Sequence, residues 1–149
     1  MDAAAAIVGT WTASSWFVEA PDGTVTYPYG RSPQGQITYG GDGRMSAFLM
    51  NPDPAPSEGR MSLQEAISLI LAQRFFSYFG TYSINPGAGT VTHHVLGSLV
   101  PSWVGGDLVR AYAFEGPDRL QIIARTQGDA ATVTAGISGR GVVVWERVA

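Results

Sequence analysis

"TVTHHVLGSL", residues 90 to 99, decides how this chain is read. Side chains of an extended strand point alternately to its two faces, so residues two apart share a face. Val91, His93, Val95 and Leu99 then lie on one face, and Thr90, Thr92, His94 and Leu96 on the other. Valine-rich faces pack inward, which places His93 inside and His94 outside. The only two histidines of the chain are therefore a pair in sequence alone. A regular strand cannot aim both at one metal ion or one substrate.

Similar runs recur on both sides of this stretch. Candidate strands cover about residues 8–19, 24–28, 35–39, 43–50, 79–84, 90–99, 107–115, 119–126, 131–137 and 142–148. Between them stand turn-forming clusters such as "PDG" (21–23), "GGDG" (40–43), "NPGAG" (85–89) and "EGPD" (115–118). Short strands at even spacing predict an all-β antiparallel sheet of about 8–10 strands, closed into a barrel. One segment departs from period two. "SLQEAISLILAQRFFSYF", residues 62 to 79, opens with Ser62 and Glu65 spaced as a capping box. Leu63, Ile67, Ile70, Leu71, Phe75 and Tyr78 then fall on one helical face. A helix over about 62–78 is expected near one barrel mouth, as a plug or a lid.

Composition narrows the chemistry. The chain has 149 residues, 45% hydrophobic and 14% charged, with a net charge of −3, and is expected to form a single domain over 1–149. Its nine basic residues are all arginines, so lysine Schiff bases and lysine-dependent phosphate loops are excluded. With no cysteine, disulfides, thiolate metal sites and cysteine nucleophiles are excluded too. One inward histidine without a partnered carboxylate falls short of a zinc site, so no metal and no cofactor are expected. The mild negative charge gives no reason to expect nucleic acid. No apolar run reaches the roughly 20 residues of a membrane span, and "MDAAAAIVG" lacks a basic flank. No membrane partner and a cytoplasmic location are expected.

Alternation also proposes an interior wall. "DLVRAYAFE" (107–115) puts Leu108, Arg110, Tyr112 and Phe114 on its bulky face. Pairing with 90–99 would bring Arg110 and Tyr112 near His93, and these three are the candidate catalytic residues. An inward arginine is costly unless it meets an anion, a carbonyl or a carboxylate, and its planar fork suits an enolate, a carboxylate or a 1,3-dicarbonyl. The candidate ligand-binding wall adds Trp11, Ser15 and Phe17 from the first strand, then Tyr39, Met45 and Tyr82. Ile122 and Trp145 complete it. No G-x-S-x-G elbow and no G-x-G-x-x-G opening a helix is present.

The chain ends carry a further signal. "GTW" (9–11) opens the first strand and "VVVWERV" (142–148) forms the last, so in a closed barrel Arg147 would lie against the Trp11 indole. Gly9-x-Trp11 with a closing arginine is similar to the lipocalin signature. Together with "PQGQITYGGDGRMSAFLM" (33–50), "YFGTYSI" (78–84) and "GTVTHHVLGSLVPSWVG" (89–105), these blocks resemble the bacterial and fungal lipocalin-like domain family. The resemblance runs over nearly the whole chain. It implies an up-and-down, calycin-type barrel around a small-molecule cavity. The mid-chain helix and the absence of any possible disulfide set the chain apart from secreted lipocalins.

Three functions are compatible with these expectations. The barrel could bind a hydrophobic metabolite of polyketide, terpenoid or aromatic type, in secondary metabolism. It could be a cofactor-free cyclase, isomerase or dehydratase acting on such a metabolite by confinement and acid–base assistance. Or its helix and strand edges could serve a protein partner.

Overall fold

The computed structural model describes residues 2–52, 62–65, 67, 75–125 and 139–148. Among these residues a short helical turn, α1 (Ala3–Ala6), precedes nine strands: β1 (Gly9–Glu19), β2 (Val25–Thr26), β3 (Gln34–Tyr39), β4 (Arg44–Met50), β5 (Phe75–Asn85), β6 (Thr90–Ser98), β7 (Asp107–Phe114), β8 (Arg119–Arg125) and β9 (Arg140–Arg147). Every pairing is antiparallel. From β3 to β9 each strand lies beside the next, and β9 returns to β1. β1 and β3–β9 thus close an eight-stranded up-and-down barrel, with two-residue β2 appended to the far end of β1. Among the described residues no helix is long and apolar enough to cross a membrane.

Closure rests on β1 and β9, which pair from Trp11↔Arg147 to Glu19↔Arg140. The Arg147 guanidinium carbon lies 4.2 Å from the Trp11 ring centroid, as expected from the chain ends. Its nitrogens also donate to the carbonyls of Ala6 (2.6 Å), Val8 (2.9 Å) and Pro117 (3.1 Å). Trp11 Nε1 in turn donates to Ile7 O at 3.0 Å. The arginine therefore ties the α1 segment across one end of the barrel. Gly9 is required there twice over. Its φ of +140° disfavours a side chain, and a Cβ would stand 2.7 Å from Arg147 Nη1.

The interior is a continuous apolar cluster drawn from every barrel strand, including Trp11, Trp16, Ile37, Leu49, Val91, Leu108, Leu120 and Trp145. Burying each such aliphatic side chain contributes about 1.5–3 kcal/mol. Around the 75–78 end of β5, rings gather edge to face: Trp16 lies 4.6 Å from Tyr29 and 6.0 Å from Phe76, and Trp103 lies 6.1 Å from Tyr78.

Two expectations are corrected. Strict alternation put Ser15 and Phe17 on the face of Trp11. A register shift between Ala13 and Ser15 leaves Ser14 as an extra residue, and a bulge of this kind turns every later side chain over. Trp16 and Val18 are consequently the buried residues (1% and 0% exposed), while Phe17 is only partly buried and meets Tyr27. The second correction concerns the helix. Residues 63–65 and 67 are helical, and Ser62 Oγ accepts from Glu65 N at 3.1 Å, as the cap predicts. From Phe75, however, the chain is strand, because Met50↔Phe75 to Ala47↔Tyr78 extend the β4 ladder. Phe75 and Tyr78 are therefore sheet residues. The remainder of the expected helix and the expected strand at 131–137 lie outside the described residues.

Removing the clasp should loosen the whole barrel. Arg147→Ala is expected to lower the unfolding free energy by about 2–4 kcal/mol, from lost charged hydrogen bonds and the cation–π contact. Gly9→Ala should also destabilise. Urea unfolding followed by tryptophan fluorescence measures both.

Candidate functional site

His93 and Arg110 are the buried polar side chains among the described residues, 1% and 3% exposed. The strand alternation explains both. On β6, His93 alternates with buried Val91 and Val95, whereas His94 faces outward. There His94 Nδ1 meets Asp107 Oδ1 at 2.8 Å and Nε2 meets Ser83 Oγ at 3.0 Å. That exposed pair contributes little to stability. On β7, Arg110 alternates with Leu108, and exposed Val109 and Ala111 point the other way.

Inside, both ring nitrogens of His93 are engaged. Nε2 lies 2.7 Å from the Tyr39 hydroxyl and Nδ1 lies 2.8 Å from the Tyr78 hydroxyl. The phenols come from β3 and β5, so the imidazole joins three strands. A glycine on the intervening wall allows the strands to meet. At Gly80 a Cβ would collide with His94 O, on the β6 strand that bulges between Gly97 and Val95. Tyr82, opposite His93, stacks edge-on against Tyr39 at 4.9 Å and donates its own hydroxyl to Gly40 O at 2.8 Å.

The register corrects one expected neighbour. His93 pairs with Leu108 and Val91 with Arg110, so Tyr112 sits further along, where its N–H donates to Gly89 O. Its ring lies 5.6 Å from Phe114. The phenols on the imidazole are Tyr39 and Tyr78, not Tyr112. Tyr39 was in the expected wall. Tyr78 was missed because the helical pattern over 62–78 absorbed it. The signal that finds it is the period-two series Tyr78, Gly80, Tyr82, Ile84. Of the other expected wall residues, Trp11, Met45, Ile122 and Trp145 are in the buried cluster.

Electrostatics fix the protonation of the site. Burial, helped by the Arg110 charge and then by His94, pushes the His93 pKa down to about 3. Burial pushes the Tyr78 hydroxyl up to about 12 against the opposing pull of Arg110. Burial raises Tyr39 well above the usual phenol range, and Tyr78 and Tyr82 add to the effect. At neutral pH the site is a neutral imidazole between two neutral phenols.

A neutral imidazole has one N–H and one bare nitrogen. Two phenols and this ring hold three polar hydrogens, and their two mutual bonds consume two. The third remains on whichever phenol accepts from the imidazole N–H. Leaving a buried donor unmet costs about 1–3 kcal/mol. Tyr39 is 0% exposed and Tyr78 is 8% exposed beside the Trp103 ring. The slight exposure of Tyr78 and the aromatic ring beside it favour the tautomer in which Tyr39 donates to Nε2 and Nδ1–H donates to Tyr78, which leaves the spare hydrogen on Tyr78.

Outside the barrel a shallow apolar groove crosses β4 to β6 between Phe48, Phe79 and Leu99. Its lining also includes Ser46, Ser77, Ser98 and Tyr78.

A family model described as a lipocalin-like domain matches residues 8–148. No curated protein matches the chain. Among solved structures, a redesigned beta barrel is similar over 99% of this chain and 96% of its own, at 14% identity and a TM-score of 0.46.

Acid should expose the buried imidazole. His93 has a folded pKa of about 3, below its ordinary 6.5, so the unfolded chain binds the extra proton first. Stability is then lost as pH falls below about 6.5, by up to ~1.4 kcal/mol per pH unit from this group, until pH nears the folded value. His93→Gln should remove that slope. Urea midpoints of both proteins between pH 4 and 7 measure the difference.

Proposed function

The chain belongs to the lipocalin-like domain family, and from that premise we propose that its barrel binds a small apolar molecule presenting an oxygen acceptor to the Tyr39–His93–Tyr78 chain. The buried interior offers aromatic and aliphatic surface with a few oriented polar groups, the usual composition of a small-molecule site. The observation that carries the reading is the hydrogen left over in a buried chain of three polar groups. A ligand carbonyl, enol or carboxylate oxygen satisfies it. Arg110 adds positive charge that favours an electron-rich oxygen. Polyketide, terpenoid and aromatic metabolites combine such oxygens with large apolar surfaces.

A second reading is favoured by the same chain having a phenol at each end. A bound ketone can take the spare hydrogen from Tyr78 on its oxygen. The Nδ1 proton then refills Tyr78, Tyr39 refills Nε2, and Tyr39 takes a proton from a carbon of the ligand. The ligand has become its enol, the chain its other tautomer, and nothing has been oxidised. Because phenolates are disfavoured here, the transfers must be concerted. Such a barrel would be a cofactor-free isomerase. Deuterium entering a recovered ketone in heavy water, and not in the His93→Gln protein, distinguishes it from a carrier that returns its ligand unchanged.

The binding reading is tested with 9-fluorenone and fluorene, which share a shape and differ by one carbonyl. Fluorenone should quench tryptophan fluorescence with a Kd roughly threefold to tenfold lower. Tyr78→Phe should bring the two affinities together. Equal affinities for the unsubstituted chain contradict the reading.

A further inference from the structure

The interior holds a second unspent donor. Trp145 is 4% exposed, lies in the buried cluster, and faces inward between Ala13 of β1 and Leu120 of β8. Among the described residues its Nε1 is the buried side-chain donor without any hydrogen-bond partner. Trp11, equally buried, shows the ordinary situation by donating to Ile7 O. Buried indole N–H groups find partners as a rule, and an exception calls for a reason.

Position supplies one. In the closed ring, β9 and β5 are four strands apart in either direction, so Trp145 and Tyr78 stand on opposite walls. In the tautomer argued above, each carries one hydrogen that the protein does not use. We propose that the barrel selects ligands with two oxygen acceptors on opposite edges of an apolar frame, one for Tyr78 and one for Trp145 Nε1. A diketone, a quinone or a hydroxy-ketone of fused rings has this form. A monofunctional ligand leaves one donor unmet, so the second oxygen confers selectivity as well as affinity. This inference rests on the binding reading above and adds the second anchor.

Anthracene, anthrone and 9,10-anthraquinone share one tricyclic frame with zero, one and two carbonyls. Their binding to the whole chain is followed by tryptophan fluorescence and by the indole 15N–1H resonances. Affinity should rise at each step, anthraquinone binding roughly threefold to tenfold more tightly than anthrone. The Trp145 indole proton should move downfield with anthraquinone and not with anthracene. Trp145→Phe should reduce anthraquinone to the affinity of anthrone. Should that variant not fold, the resonance in the unsubstituted chain decides. Anthrone binding as tightly as anthraquinone, or an unmoved Trp145 proton in the quinone complex, overturns the second anchor while leaving the first intact. Failure of all three to bind, with fluorenone also no better than fluorene, overturns both.

Discussion

Everything inside this molecule depends on the pairing of its first long strand with its last. An open sheet of this length would expose two edges and one apolar face. Joining β1 to β9 removes the edges and turns that face into an interior. Arg147 secures the joint from the side: its guanidinium stacks on Trp11, occupies the space left by the missing Gly9 side chain, and holds the carbonyls of the N-terminal segment. One planar group with several donors fulfils all of these tasks, which a lysine ammonium could not.

Closure then makes the polar content of the interior consequential. Closure shields the inner groups from solvent, so each buried donor or acceptor must be met by protein, by ligand, or at a cost. The imidazole meets this condition by remaining neutral between two phenols, with Arg110 further opposing its protonation. The Trp145 indole hydrogen is not met from within, and in the tautomer argued above neither is the Tyr78 hydrogen. Both are donors, and the complementary guest is rich in acceptors. For the guest proposed above, apolar walls would provide most of the affinity and the two hydrogens its orientation.

Much of this was legible in the residues. Alternation separated His93 from His94 and placed Arg110 inward, because strand geometry leaves no other choice over a regular stretch. The pairing of Arg147 with Trp11 followed from the requirement that a barrel close. What was hidden lies where regularity fails. In "TWTASSWFV" (10–18) the change of face at Ser14 shows only as Trp16 and Val18 falling out of phase with Trp11. In "FFSYFGTYSI" (75–84) the local pattern suits a helix, and pairing with β4, set by residues some 30 positions earlier, prevails. The Tyr–His–Tyr chain was hidden for the same reason. Its members stand 15 and 54 positions apart, and only the register brings them together.

The most direct measurement is the nitrogen NMR spectrum of the His93 ring across an acid titration. One protonated and one bare nitrogen are expected, a single tautomer with Nδ1 protonated, unchanged down to about pH 4. A ring that takes up its second proton near pH 6.5, or that exchanges between tautomers at neutral pH, would contradict this.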